Sequence, residues 1–291
     1  MDRNLIQGTG VALITPFDTL GEVDYQALKD LVNYVIYKGV DFVVAMGTTS
    51  ETATLNANEK AKILETIISE VEERVPVVLG MGGNNTKDLI ENIKSTSFDK
   101  VDAILSVAPY YNKPNQDGMF AHFSAVAEAS PVPIILYNVP GRTSSNLLPQ
   151  TVIKLAQKYD NIIAIKEASS NFDQVMELIQ HKAEDFKVFS GDDALTLPLM
   201  SLGMEGVISV VANVLPEEMS NMLKAINVGD YDEAKEIHYS MLDLINALFE
   251  EGNPAGIKSA LLQAEIIPSD NLRLPLVPVS QSLKEKIKSL L

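Results

Sequence analysis

Cysteine is absent from the 291-residue chain, which excludes disulfides, thiolate catalysis and cysteine-held metal. Histidine occurs only at His122, His181 and His238, scattered without ligand spacing. No zinc centre is expected, and each histidine reads as a surface or structural residue. Positive charge is scarce: 23 Lys and Arg face 39 Asp and Glu, for a net charge of −16. That balance argues against nucleic acid or an anionic membrane as partner. No apolar run approaches the ~20 residues of a membrane span. Residues 1–6 offer no long apolar segment and no cleavage site, so no signal peptide is expected and the location expected is cytoplasmic. Where cations are this few, a lysine or arginine set in an apolar context carries information.

Lys166 is such a residue. It stands in the run Ile162-Ile163-Ala164-Ile165-Lys166-Glu167-Ala168. A short β-branched run of this kind reads as a strand buried on both faces. One reading ends the strand at Ile165 and lets Lys166 snorkel to water. The other buries the amine. Desolvation then lowers its pKa toward neutrality, and a partly neutral amine attacks carbonyl carbon to form a Schiff base.

Hydrophobic residues make up 46% of the chain and charged ones 21%, as in a soluble globular protein. Eight short apolar runs recur, at residues 11–14, 42–46, 77–79, 101–107, 134–139, 162–165, 188–189 and 207–211. Amphipathic segments separate them. Leu28, Leu31, Val32 and Val35 share one helical face; Ile63, Leu64, Ile67, Ile68 and Val71 share another. Asn56 followed by Glu59 resembles a capping box that starts the second helix. Strand–helix alternation implies parallel strands with right-handed crossovers. Eight such units fit a (β/α)8 TIM barrel, ahead of a doubly wound sheet. After residue 215 three helical segments follow with no strand between them (216–228, 231–250 and 256–265), and residues 282–291 read as a further short helix. The division expected is a catalytic barrel over 1–228 and a C-terminal helical extension over 229–291.

In such a barrel the chemistry sits where strands end. Gly47-Thr48-Thr49-Ser50-Glu51 follows the second run and could form a carboxylate nest. Pro109-Tyr110-Tyr111-Asn112 follows the fourth. Tyr137-Asn138-Val139-Pro140-Gly141-Arg142 follows the fifth, Lys166 the sixth and Gly191-Asp192-Asp193 the seventh. Each has a plain alternative: a turn, a packed tyrosine pair, a solvated arginine, an aspartate capping a helix. Structure alone gives no reason for all of them to fall on one face.

These segments, with Thr143, Ile165-Lys166-Glu167-Ala168 and Gly206-Val207-Ile208-Ser209-Val210, resemble the dihydrodipicolinate synthases, in order and over nearly the whole chain. The resemblance implies a lyase that condenses pyruvate with L-aspartate 4-semialdehyde to 4-hydroxy-tetrahydrodipicolinate, in lysine and diaminopimelate synthesis. It implies that Lys166 forms the Schiff base. Tyr137 would be the acid/base, relayed through Thr48 and Tyr111, the latter supplied by a neighbouring subunit. Thr48 and Thr49 would hold the pyruvate carboxylate, and Arg142 the carboxylate of the semialdehyde. Gly191 and Ile208 would line the pyruvate pocket. No cofactor or metal is implied, and a homotetramer built as a dimer of dimers is. Rival readings are a sister aldolase acting on N-acetylneuraminate or a 2-keto-3-deoxy sugar acid, and a catalytically silent barrel.

Two departures from the family pattern stand out. Ser50 replaces a usual glycine, and would be strained if that position needs positive φ. In lysine-inhibited members the inhibitor binds near positions matching Ala53, Ala57, Lys60, Asn84, Asp88 and Tyr110. Lys60 places a cation where sensitive enzymes have histidine or an acid, which implies weak inhibition by a dibasic ligand.

Overall fold

The computed structural model describes residues 6–291, so most of the stretch read as lacking a signal peptide lies outside it. Eight strands run in chain order around a closed parallel barrel: β1 Gly8–Ala12, β2 Phe42–Ala45, β3 Val77–Gly80, β4 Ala103–Val107, β5 Ile134–Asn138, β6 Ile162–Glu167, β7 Lys187–Ser190 and β8 Gly206–Ser209. The expected (β/α)8 barrel is the one observed. Its strands are buried on both faces, as the lack of alternation in the eight runs required.

By contacts the chain divides into two compact units. One is built mainly from Val77–Ile208. It carries β3 to β8 with α3 Thr86–Ser95, α4 Gln116–Ala129, α5 Pro140–Thr143, α6 Pro149–Lys158, α7 Phe172–His181 and α8 Thr196–Ser201. Fully buried Ile104, Phe123, Ile135, Leu155, Ile165 and Phe189 form its core. Proline opens α5 and α6, where a missing N–H costs nothing.

The other unit combines Gly8–Pro76 with Ser209–Leu291. It holds β1, α1 Tyr25–Tyr37, β2, α2 Ala57–Val71 and the C-terminal helices α9 Pro216–Asn227, α10 Tyr231–Glu250, α11 Ala255–Gln263 and α12 Gln281–Leu290. Helix α1 buries Leu28, Leu31, Val32 and Val35. The capping box at α2 is present in both directions: Glu59 N–H donates to Asn56 Oδ1, and Asn56 N–H to Glu59 Oε2. The second helical face is buried as expected, apart from a half-buried Ile68. Helices α10 and α11 meet at Gly256, where an added Cβ would collide with the Leu248 carbonyl. Asn213 ties β1 to the start of α9: its Nδ2 donates to the Ala12 carbonyl and its Oδ1 accepts from Ile14 N–H. Among the described residues no helix is long and apolar enough to cross a membrane.

Candidate active site

Strand β6 does not stop at Ile165. It continues through Lys166 and Glu167, and both are buried. Lys166 is only 5% exposed, so it does not snorkel. Burial lowers its amine pKa to about 8; the Asp193 charge opposes the shift and the Arg142 charge adds to it. Such an amine is partly neutral near physiological pH, while an exposed lysine is almost wholly protonated.

Tyr137, on β5, pairs with Lys166 across the strands. Lys166 Nζ lies 4.7 Å from the centre of the Tyr137 ring, which is itself buried. Gly191 follows β7 and leaves room for the lysine stem. A Cβ there would come within 2.8 Å of Lys166 Cε and 2.7 Å of Ala168 Cβ. Asp193 is buried too. Asp192 stands at the N-cap of the turn that follows and makes no side-chain cap hydrogen bond, contrary to the capping reading for that residue. Ile208 stands on β8, 1% exposed. Arg142 sits at the surface on the single turn of α5, and its charge is felt by Lys166.

Tyr111 is placed otherwise. Its side chain is 83% exposed, its φ is +67°, and its N–H donates to the Thr143 carbonyl. Ser145 Oγ donates to the Pro109 carbonyl at 2.5 Å and so braces the same loop.

The remaining sequence-picked hydroxyls stand after β2. Thr48, Thr49 and Ser50 form one turn of 3₁₀ helix. Thr48 is exposed and Thr49 buried. Ser50 is not strained: the positive φ falls at its neighbour Glu51, at 54°. Ser50 Oγ donates to the Leu13 carbonyl at 2.6 Å, a contact glycine could not make. Residues of the C-terminal segment brace this turn. Asn253 Nδ2 donates to Thr49 Oγ1 at 3.1 Å. Lys258 pairs with Glu51 at 2.5 Å, both side chains fully buried. Lys258 Nζ also donates to the Asn271 carbonyl and lies 4.1 Å from the Phe17 ring centre. Arg273 rests on the same ring, donates its N–H to Glu51 Oε2, and forks onto both oxygens of Glu59. Burial lowers Lys258 to about 8, and Glu51 opposes that.

Among the described residues no cluster of His, Asp or Glu could hold a metal ion. His122 and His238 are buried and His181 is exposed.

A desolvated amine at the end of a barrel strand, with a buried phenol level with it, defines a class: lyases that work through a lysine Schiff base, the class I aldolase type. The family is given by the chain as a whole. Residues 5–291 match the Dihydrodipicolinate synthetase family, and the chain belongs to it. A relative named 4-hydroxy-tetrahydrodipicolinate synthase, from Parabacteroides distasonis, is 49% identical over 290 residues, covering 100% of this chain and 97% of that protein. The crystal structure of dihydrodipicolinate synthase from Aquifex aeolicus is similar at a TM-score of 0.94 and 41% identity, covering 98% of this chain and 97% of the other. A structure described as the first monomeric dihydrodipicolinate synthase variant superposes at a TM-score of 0.96 with 36% identity, over 99% of this chain and 96% of its own.

Sequence reasoning picked Lys166, Tyr137, Gly191 and Arg142, and the fold brings their influence to one amine. It missed Asp193 as a buried charge acting on Lys166, and Asn253 and Lys258 as supports of the Thr49 turn. Aspartate beside glycine looks like any cap, and nothing local marks a contact spanning 204 positions.

Proposed function

We propose that this chain condenses pyruvate with L-aspartate 4-semialdehyde to 4-hydroxy-tetrahydrodipicolinate, a step of lysine and diaminopimelate biosynthesis, through a Schiff base on Lys166. The observation that carries this is the buried Lys166 amine, held near pKa 8 beside the Tyr137 ring. The neutral amine attacks the ketone carbon of pyruvate, and loss of water leaves an iminium. That group draws electrons from the methyl carbon, whose proton leaves to give an enamine. The enamine carbon attacks the aldehyde, and the new alkoxide takes up a proton. The amino group of the semialdehyde then displaces Lys166 at the iminium carbon, which closes the ring and frees the enzyme.

Tyr137 is assigned the proton transfers. A phenol of ordinary pKa near 10 is a poor base alone, so a relay through Thr48 and Tyr111 goes with it. The solvent-exposed Tyr111 suits a residue given to a neighbouring subunit, and the assembly proposed is a homotetramer of two tight dimers. Thr48 and Thr49 are assigned to the pyruvate carboxylate. Gly191 and Ile208 are assigned to the pocket wall. Arg142 grips the carboxylate of the aldehyde substrate, a charge-assisted contact. Residues 1–228 are proposed as the catalytic barrel and 229–291 as its helical extension. The location proposed is the cytoplasm, where both substrates are metabolites.

The test is reductive trapping. Pyruvate and borohydride, followed by digestion and mass analysis, place a pyruvyl adduct on the peptide carrying Lys166, and Lys166→Ala abolishes it. An adduct on another lysine, or full turnover by Lys166→Ala, overturns the assignment. Turnover of aspartate semialdehyde but not of sialic acid separates this reaction from the sister aldolases.

A further inference from the structure

Strands β5 and β6 are not in simple register. Ile134 pairs with Ile162, but Ile135 pairs with Ala164, which leaves Ile163 as an extra residue. Beyond this bulge Leu136 pairs with Ile165, Tyr137 with Lys166 and Asn138 with Glu167. Continued without it, the first pairing would set Tyr137 beside Ile165 and Asn138 beside Lys166. A slip of one residue changes every partner along a strand, and bulges beside active sites re-aim side chains in this way. The bulge is therefore what brings phenol and amine level.

A shifted register needs a lock, and the next residue pair supplies one. Side chains alternate along a strand, so Asn138 and Glu167 face away from Tyr137 and Lys166. Both are buried, at 0% and 2% exposure. Asn138 Nδ2 reaches both oxygens of the Glu167 carboxylate, at 3.2 and 3.1 Å. Ser169 N–H donates to Oε1 at 2.7 Å and Gln174 Nε2 to Oε2 at 3.0 Å. Asn138 is fixed in turn: its Oδ1 accepts from Leu147 N–H, and its Nδ2 donates to Asn146 Oδ1. Asn146 Nδ2 donates to Gln174 Oε1 and closes the ring of contacts. All these donors are neutral. A carboxylate buried without a cation is costly, and burial pushes the Glu167 carboxyl up against the pull of its hydrogen bonds. Packing alone would be served as well by leucine. What the carboxylate adds is direction: its lone pairs accept only when the two strands are in the bulged register.

We infer that Glu167 and Asn138 are positioning residues for catalysis, a clamp behind β5 and β6 that keeps Tyr137 level with Lys166. This rests on the roles given above to Lys166 and Tyr137. The clamp touches no substrate and acts through those two residues.

Two reactions of pyruvate separate the effects. Borohydride trapping needs the amine alone. Exchange of pyruvate methyl protons for deuterium, followed by NMR, needs the acid/base as well. Glu167→Gln puts an amide N–H where the Asn138 donor points and opens the clamp. The expected result, in full-length protein, is a fall of roughly tenfold or more in methyl exchange and kcat, since misplacing a reacting group by about 1 Å costs up to about a hundredfold. Trapping on Lys166 and KM for pyruvate stay as in the native enzyme. Adding Asn138→Asp reverses donor and acceptor across the strands and restores most of the exchange. Native exchange in Glu167→Gln overturns the inference. So does a parallel loss of exchange and trapping, or a double variant no faster than the single. If Glu167→Gln does not fold, Asn138→Ala gives the same comparison, with the same outcomes for and against. Failure of the native enzyme itself to trap pyruvate on Lys166 would remove the assigned reaction, and the clamp's role with it.

Discussion

Replacing Lys258 by methionine should destabilise the protein severely. The ammonium it removes is fully buried, 2.5 Å from the equally buried Glu51. Its loss leaves a carboxylate with no cation at that distance, and breaking a buried pair from one side costs about 3–5 kcal/mol. The Asn271 carbonyl also loses a donor, for about 1 kcal/mol, and the face of Phe17 loses one of its two cations. These terms overlap, so a loss of about 4 kcal/mol is the expectation. The chain has no tryptophan, so unfolding in urea is best followed by far-ultraviolet circular dichroism. With a slope of about 3 kcal/mol per M, the midpoint should fall by roughly 1 M or more. Combining Lys258→Met with Glu51→Gln removes both charges and keeps an acceptor for the Arg273 N–H. That pair should recover at least half of the loss. A single variant within about 1 kcal/mol of native, the range of an exposed ion pair, would refute the reasoning. Simple additivity of the two substitutions would do so equally, because it would mean that the charges do not interact.

The pH at which trapping on Lys166 is half-maximal should lie near 8, the neutral amine being the reactive form. Asp193→Asn removes the charge that raises this pKa and should move the midpoint to lower pH, while Arg142→Ala should move it higher; shifts of opposite sign would show the electrostatics to be misassigned. Gly191→Ala drives a methyl group against Lys166 Cε and Ala168 Cβ, and should slow adduct formation and cost about 1–3 kcal/mol of stability; native trapping rates would show that the wall is not tight. His122 is buried with its pKa lowered to about 4 from 6.5. The unfolded chain takes up this proton first, so stability should fall between pH 6.5 and 4, by up to about 3 kcal/mol, and His122→Asn should flatten that part of a stability–pH curve. Lysine should inhibit weakly because of Lys60, and half-inhibition at submillimolar lysine in a steady-state assay would contradict this.

The barrel was legible because buried parallel strands are written as short β-branched runs, and all eight were found. The helical segment 231–250 carries a strong enough stripe of apolar residues to fix both its ends, and Asn56 with Glu59 announced α2. Strand ends were harder. β6 outruns its apolar stretch because Lys166 and Glu167 are buried strand residues despite their charge, so polarity there mimics a strand end. β1 starts at Gly8-Thr9-Gly10, where two glycines flank a lone threonine and weaken the strand signal, so only its apolar end was visible. The bulge at Ile163 leaves no trace in a sequence of uniform isoleucines and alanine. At the site, an amine at the end of an apolar run singled out Lys166, whereas the role expected of Tyr137 came from the family resemblance. The contacts of Glu51, Asn253, Lys258 and Arg273 join segments far apart in the chain, and no local pattern encodes them.

The braces on the Thr49 turn also impose an order in time. The ribosome delivers Thr49 and Glu51 first, and Asn253 only 204 positions after Thr49, with Lys258 following it. A nascent polypeptide halted before Asn253 has its β2 turn in hand but neither anchor for it. The hydrogen bond and the buried ion pair that complete the turn can therefore form only after all eight strands have left the ribosome.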